Sequence, residues 1–451
     1  MLTILTASSG RADPTSAPGE TAEGVFGEGS AGHGEPDSKT GAMNYSYPIN
    51  LPAARGRPQP RLTLSYNSFA RDREAGYGWG LDLPVIERKP LSGNPCFDKN
   101  DGSPVACGET RVDPKTGGLV SEERYTFSGQ PLVFICQIGK GRGKHEGCGE
   151  ELQPEWTDEG GWRYFRLQVE GQFARFYLSG DRRSWRVQLK GGELLEFGNL
   201  PPNTNNSTLG IEHAFGNKKA ILRWRLVRHS DAVHKVSGAP VNYIDYRWKR
   251  LGKRGLLYLT DIYDTPRANG PRGDADFAHH TQLTWQPPDF PQTYYADPYR
   301  ATPDLRLSRV AVASMPWSGT GPREVIRTYI LGYAAAQGAT STVALSQVFQ
   351  LWHHSFLSKI RMQGRCGKFE DDQGMPPESM WPDRECPGFH LPPTTFEYED
   401  GNPAFGIALS TEVQGGPPNA VDDNRVLPYL NSVGIVDFNR DGLPDIAELG
   451  C

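Results

Sequence analysis

The residues best placed to do chemistry lie at the end of the chain, in the run VGIVDFNRDGLPDIAELG at 433–450. Asp437, Asn439, Asp441 and Asp445 occupy positions 1, 3, 5 and 9 of a loop, with Gly442 at position 6. Oxygen ligands at alternate positions converge on one point when a loop coils, and glycine permits the sharp bend. Leu443 adds its backbone carbonyl at position 7. This is hard-cation chemistry, and Ca²⁺ is the expected occupant. Glu448 at position 12 completes an EF-hand pattern as written. The context is different, because LPYLNSVGIVDF reads as extended rather than helical. Pro444 removes an N–H at position 8, and only Leu449, Gly450 and Cys451 follow Glu448. The expectation is a strand, a cation loop and a second strand from Ile446, with the metal stapling a hairpin. The rival is an Asx-rich turn without metal. An upstream lookalike, Asp98-Lys99-Asn100-Asp101-Gly102, has its glycine one residue early and reads as a hairpin turn.

Other reactive side chains lack catalytic spacing. His279-His280 and His353-His354 are adjacent pairs, and neighbours on a strand point to opposite faces. His229 and His234 are five apart, without zinc-site partners. No GxSxG elbow and no P-loop occurs. Arg272-Gly273-Asp274 is an RGD tripeptide, read as a chance match. Asn205-Asn206-Ser207-Thr208 holds two overlapping glycosylation sequons, which matter only in a eukaryotic secretory setting. Arg247, Lys249, Arg250, Lys253 and Arg254 surround Trp248 and follow Tyr243 and Tyr246. A solvated hairpin explains them better than a nucleic-acid or anionic-lipid patch.

The elements that must carry these residues are strands. Glycine (52) and proline (37) together make about a fifth of 451 residues, against about an eighth in ordinary proteins. That density interrupts helices, while the aromatic content (Phe 19, Tyr 18, Trp 10) demands a core. The net charge of −5 gives no reason to expect nucleic acid. No apolar run is long enough to span a bilayer as a helix, and MLTILTASSGRADP lacks the form of a signal peptide. Among seven cysteines, Cys96, Cys107, Cys136 and Cys148 cluster early, and Cys366 and Cys386 form a later pair. Disulfides fit an oxidising compartment, and Cys451 is left over.

Residues 1–40 read as a disordered leader. Arg61-Leu62-Thr63-Leu64-Ser65-Tyr66 alternates with period two. Gly76, Gly78 and Gly80 interleave with Tyr77 and Trp79; tight turning around core aromatics is the preferred reading, and a sugar-binding pair is the rival. From 121 to 200 the strands ERYTF, PLVFICQI, WRYFRLQV, GQFARFYLS, SWRVQLK and ELLEFG form a meander. ILRWRLVRHS, VNYIDYRW, GLLYLTDIYD, HTQLTWQ and VIRTYILGY continue the series, 343–363 leans toward strand over helix, and TTFEYE is the last element before a linker.

YSYPINLP, GRPQPRLTLSYNS and GYGWGLDLPVIERK resemble the opening of the SpvB-like region found in B components of bacterial insecticidal Tc toxins and in Rhs-type proteins. The later strands agree in order, and VDFNRDGLPDI resembles the first FG-GAP/VCBS-type repeat, so the likeness spans 41–451. It implies a mainly β, multi-sheet antiparallel scaffold with an incomplete β-propeller start. The expected regions are the leader 1–40, an SpvB-like β region 41–200, a second sheet region 201–400, and 401–451 as linker and partial blade.

The implied function is non-enzymatic: docking or encapsulation within a secreted toxin, alongside other toxin-complex or Rhs subunits or downstream domains. Release without a classical signal is expected, from the cytoplasm to the exterior. Some proteins with this front region carry an ADP-ribosyltransferase. Glu397-Tyr398-Glu399 matches its Glu-x-Glu element superficially, but no Ser-Thr-Ser is present. The alternatives are a Ca²⁺-stabilised extracellular module that binds glycan or a protein receptor, and an enzyme whose site is assembled from distant loops.

Overall fold

The computed structural model describes residues 2–5, 33–37, 40–70, 72–89, 111–112, 119–120, 124–138, 148, 161–199, 210–214, 217–231, 235–236, 239–240, 242–267, 273–288, 303–315, 322–335, 355–364, 391–398, 433–436 and 445–448. The chain divides into two compact units, Met1–Tyr398 and Glu399–Cys451. Among the described residues every regular element is a strand, save a three-residue 3-10 turn at Asp274–Asp276. No helix among them is long and apolar enough to cross a membrane.

The first strands are β1 (Leu2–Leu5), β2 (His33–Pro36), β3 (Met43–Ile49), β4 (Leu62–Asn67), β5 (Asp72–Arg73), β6 (Gly76–Tyr77) and β7 (Trp79–Leu81). β2, β3, β4 and β7 make a four-stranded antiparallel sheet. β4 alternates buried and half-buried residues along its whole length, as the period-two reading requires. Gly76 and Gly78 sit at φ +98° and +77°. A Cβ at Gly76 would strike the Ser355 carbonyl, and one at Gly78 would meet the Tyr66 ring at 2.5 Å. The turn therefore delivers Trp79 to the core, fully buried among Tyr45, Tyr66 and Phe396. Its indole N–H donates to the Tyr398 hydroxyl at 2.8 Å. This is packing, and it leaves Trp79 no face for a sugar.

The meander closes into a barrel. β8 (Val85–Lys89) is followed by the small hairpin β9 (Arg111–Val112) and β10 (Leu119–Val120). Then come β11 (Arg124–Phe127), β12 (Gln130–Gln137), β13 (Arg163–Leu167), β14 (Arg175–Leu178), β15 (Ser184–Gln188) and β16 (Glu193–Gly198), each pairing antiparallel with the next. β17 (Ile211–Ala214) leads into β18 (Asn217–Asp231), fifteen residues long. β18 pairs with β16, β8 pairs with β18, and β11 pairs with β8. Eight strands thus form a closed ring, a size at which side chains fill the interior. They do so here: Tyr125, Phe165, Trp185 and Trp224 contact one another with ring centroids 5.0–6.0 Å apart. Phe127 packs on Phe176 and Phe197 below them.

An open sheet leaves from β18. After the hairpin β19 (Lys235–Val236) and β20 (Ala239–Pro240) come β21 (Tyr243–Leu251), β22 (Leu256–Pro266), β23 (Phe277–Gln286), β24 (Arg306–Ser314), β25 (Glu324–Ala335), β26 (Ser355–Gln363) and β27 (Thr394–Tyr398). Each from β18 through β27 pairs antiparallel with its successor in this series, and β1 adds to β27. β1 and β2 fall in the segment expected to be disordered, where backbone pairing with β27 and β3 orders them. β16 and β17, which lie on either side of the expected boundary at residue 200, both pair with β18. In the second unit, β28 (Val433–Val436) and β29 (Asp445–Glu448) form an antiparallel hairpin.

β18 is held at the branch by charge. Arg223 bonds Glu87 of β8 at 2.6 Å and Glu212 of β17 at 3.1 Å, and Arg225 bonds Glu212 at 2.9 Å. Glu212 is buried; burial alone would raise its carboxyl pKa, but the two guanidinium groups outweigh this and hold it below its usual range. Removing one partner of a buried ion pair strands the other. Arg223→Met is expected to lower the unfolding free energy by about 3–5 kcal/mol in urea denaturation. A loss no larger than that of an exposed arginine substitution would show that the branch does not depend on this network.

Candidate functional site

Among the described residues, a mostly buried cross-strand row gathers polar and aromatic side chains. From β12 to β16 it holds Cys136, Tyr164, Tyr177, Arg186 and Glu196, each opposite the next. It continues over β18 to β23 with Arg228, Asp245, Tyr263 and His280. Neighbours alternate as aromatic and ionic pairs: Tyr164–Tyr177 at 5.1 Å, Arg186–Glu196 at 3.2 Å, Arg228–Asp245 at 2.8 Å. Cross-strand pairs of these kinds stabilise sheets. Cys136 is disulfide-bonded to Cys148, with Cα atoms 5.5 Å apart, and packs with Trp162 and the two tyrosines.

The row ends in a histidine–carboxylate pair. His280 Nε2 lies 3.0 Å from Asp261 Oδ1, and its ring stacks on Tyr263 at 4.1 Å and 6°. Burial would raise the Asp261 carboxyl, but hydrogen bonds from His280 and Thr260 and the Lys249 charge hold it down to about 2. Such a carboxylate is a poor proton acceptor near neutrality. His280 is 3% exposed, so its ring nitrogens do not meet solvent. Arg247 lies over Tyr263 at 4.3 Å and pairs with Asp274 at 2.6 Å. Arg323 Nη1 donates to the carbonyls of Asp274 and Phe277.

A second cluster lies where the 51–60 loop meets the β22–β23 turn. Arg55 N–H donates to Thr265 Oγ1 at 2.9 Å, and its guanidinium donates to Asn242 Oδ1 and the Pro266 carbonyl. Thr265 sits at φ +57°, a strained setting for a β-branched residue. Its hydroxyl donates to Asp264 Oδ1 at 2.9 Å. Burial pushes the Asp264 carboxyl up to about 7 despite that bond. His279 Nε2 is 4.0 Å away, its pKa lowered by burial and by Arg323. The β3–β4 connection, residues 50–61, also reaches the barrel, where Arg57 donates to the Gly191 carbonyl, and β25, where Asn50 N–H donates to the Tyr329 hydroxyl.

The sequence-derived candidates fare unevenly. Asp437, Asn439, Asp441 and Leu443 lie outside the described residues. Asp445 begins β29 opposite Val436, so the hairpin expected around the loop is present in its strands. Among the described residues no acidic or histidine cluster suited to a metal occurs. The Asp98–Gly102 turn, the sequons, His234, His353-His354 and the cysteines other than Cys136 and Cys148 also lie outside. The basic cluster is the β21–β22 hairpin: Lys249 pairs with Asp261, and Arg250 donates to the carbonyls of Gly255 and Ile211. Asp274 of the RGD tripeptide is taken by Arg247. Tyr398, within the Glu-x-Glu element, is on scaffold strand β27. Sequence reasoning missed Asp261, Asp264 and Arg55, because only strand register and a loop crossing bring their partners near.

The folded elements define a β-barrel fused through one strand to an open antiparallel sheet. Residues 37–126, spanning β3 to β8 and most of β11, match the family model described as SpvB, the Salmonella virulence plasmid 65kDa B protein. The fold is similar to that of TcdB2-TccC3, with TM-score 0.50 and 15% identity over 76% of this chain and 16% of that one. It is also similar to a chain of the Photorhabdus luminescens Tc holotoxin pore, with TM-score 0.52 and 14% identity over 94% of this chain and 18% of that one. The chain therefore spans under a fifth of these solved chains. No curated protein matches it.

Asp264 makes stability pH-dependent. Its folded pKa is raised above the unfolded value, so its contribution is complete below about pH 4 and is lost as pH rises through about 7. Asp264→Asn mimics the protonated form. Between pH 5 and pH 8 the variant should gain about 2–3 kcal/mol relative to the parent in denaturant titrations. Parallel pH curves would show that Asp264 titrates normally.

Proposed function

We propose that this chain is a non-enzymatic scaffold portion of a Tc-toxin-like or Rhs-like secreted protein, working in assembly, docking or encapsulation with other toxin subunits or downstream domains. The observation that carries this reading is the combination of an SpvB family match at 37–126 with a Tc-toxin-like fold across 94% of the chain. The polar row supports it, since its groups are buried and mutually bonded rather than turned toward a substrate. The Cys136–Cys148 disulfide fits an oxidising destination after cytoplasmic synthesis. The test is deletion of residues 1–398 from the full-length protein, followed by native mass spectrometry of the toxin assembly. Loss of assembly is expected. Normal assembly without this unit, or turnover of a substrate by the isolated chain, would reject the reading.

The β28–β29 hairpin extends the proposal to the second unit. It would be the start of an FG-GAP/VCBS-type blade, with Asp437, Asn439, Asp441, the Leu443 carbonyl and Asp445 holding one structural Ca²⁺. The paired strands bring the two ends of that loop together, which is the geometry the ligand spacing needs. In calorimetric titration the parent should bind one Ca²⁺, and an Asp437→Ala, Asp441→Ala variant should bind none. Equal binding by both would remove the loop as the site.

A further inference from the structure

Seven large hydrophobic side chains stand exposed among the described residues, and five lie on β12 and the adjoining β13–β14 turn, Phe134 among them resting partly on the Phe165 ring at 5.5 Å. They are Val133, Phe134 and Ile135 on β12, and Val169 and Phe173 on the β13–β14 turn. The two stretches adjoin, since Leu132 pairs with Leu167 and Gln168 N–H donates to the Pro131 carbonyl. Isolated exposed apolar residues are ordinary, whereas a gathered patch marks a contact surface. At the tip, Val169 is 81% and Phe173 61% exposed. Phe173 is held at φ +53°, a strained setting for a bulky residue, by its N–H bond to Glu170 Oε1 at 2.7 Å. The hairpin thus spends strain to keep an aromatic ring in water.

The collar around this tip is cationic. Lys190 Nζ lies 5.3 Å from the Phe173 ring. Arg166 pairs across the strand with Val133, and Arg175 opens β14. Among the described residues of the turn, the carboxylate of Glu170 stands against these three cations and is already bonded to the Phe173 backbone. We propose that this hairpin tip inserts into the surface of an anionic lipid bilayer. Val169 and Phe173 enter the boundary between headgroups and acyl chains, and Arg166, Arg175 and Lys190 meet the lipid phosphates. Charge complementarity selects an anionic occupant. The two exposed side chains stand on a hairpin turn, which enters a deformable interface without a matching pocket. Apolar insertion plus basic contacts is the two-part attachment that peripheral proteins need.

The test is sedimentation of the full chain with phosphatidylcholine vesicles, with and without phosphatidylglycerol. Binding is expected only to the anionic vesicles and should weaken as salt is raised. Val169→Glu with Phe173→Glu should reduce it at least about tenfold at unchanged Tm. Lys190→Glu, which leaves the apolar tip intact, should also reduce it. Phe173→Trp supplies a direct readout, with emission shifting to the blue on anionic vesicles alone. No binding to either vesicle, undiminished binding by the double variant, or a tryptophan emission that vesicles leave unchanged would overturn the proposal. Capture of the tip by a protein pocket would appear as the first of these results.

Discussion

The structure depends on β18 serving two assemblies at once. At Arg223 the strand has Glu212 of β17 on one side and Glu87 of β8 on the other. At Arg228 it has Glu196 of β16 on one side and Asp245 of β21 on the other. β8 and β16 complete the barrel along residues 223–225 and 226–231, and β21 pairs with residues 228–230 to hand the sheet onward, so the fifteen-residue strand serves both assemblies with its two edges. The ionic partners help to set the register: a one-residue slip would turn Arg223 toward the barrel core and Trp224 toward the charges. Charge on one face and aromatics on the other therefore specify the same alignment.

That alignment propagates. Once β18 is in register, the cross-strand row from Tyr164 to His280 follows, strand by strand, through antiparallel pairing. Each ionic or aromatic neighbour contributes little alone. Together they bury charge with its complement along the row. The β3–β4 connection adds a brace. Arg55, Arg57 and Asn50 reach the β22–β23 turn, the barrel and β25 respectively, and the strain at Thr265 is held by the Arg55 contact.

Much of the fold was legible in local patterns. The six meander strands from ERYTF to ELLEFG form in order, since alternation and turn chemistry act between neighbours in the chain. The β21–β22 hairpin was readable from the basic turn between two aromatic-rich runs, and 355–363 proved to be strand. Burial of Trp79 followed from its flanking glycines. Closure of the barrel was not legible, because Arg223 and Glu87 lie 136 residues apart and no local signal joins them. Two short strands within 1–40 were missed: β1 pairs with the distant β27, while β2 forms a local hairpin with β3 that its polar, glycine-containing composition does not announce. The Asp264–Thr265–Arg55 cluster depends on a loop crossing that alternation does not encode. At 433–448 the sequence suggests oxygen ligands for a cation, and the structure shows the paired strands β28 and β29.

The central claim is that barrel and open sheet are one cooperative body joined at β18. Native-state hydrogen exchange tests it most directly, by comparing amides of β14, β18 and β23. The account predicts that all three exchange through the same global opening, with equal free energies and a shared denaturant dependence. Exchange of β14 and β23 through separate openings of different energy, with β18 following only one of them, would contradict it.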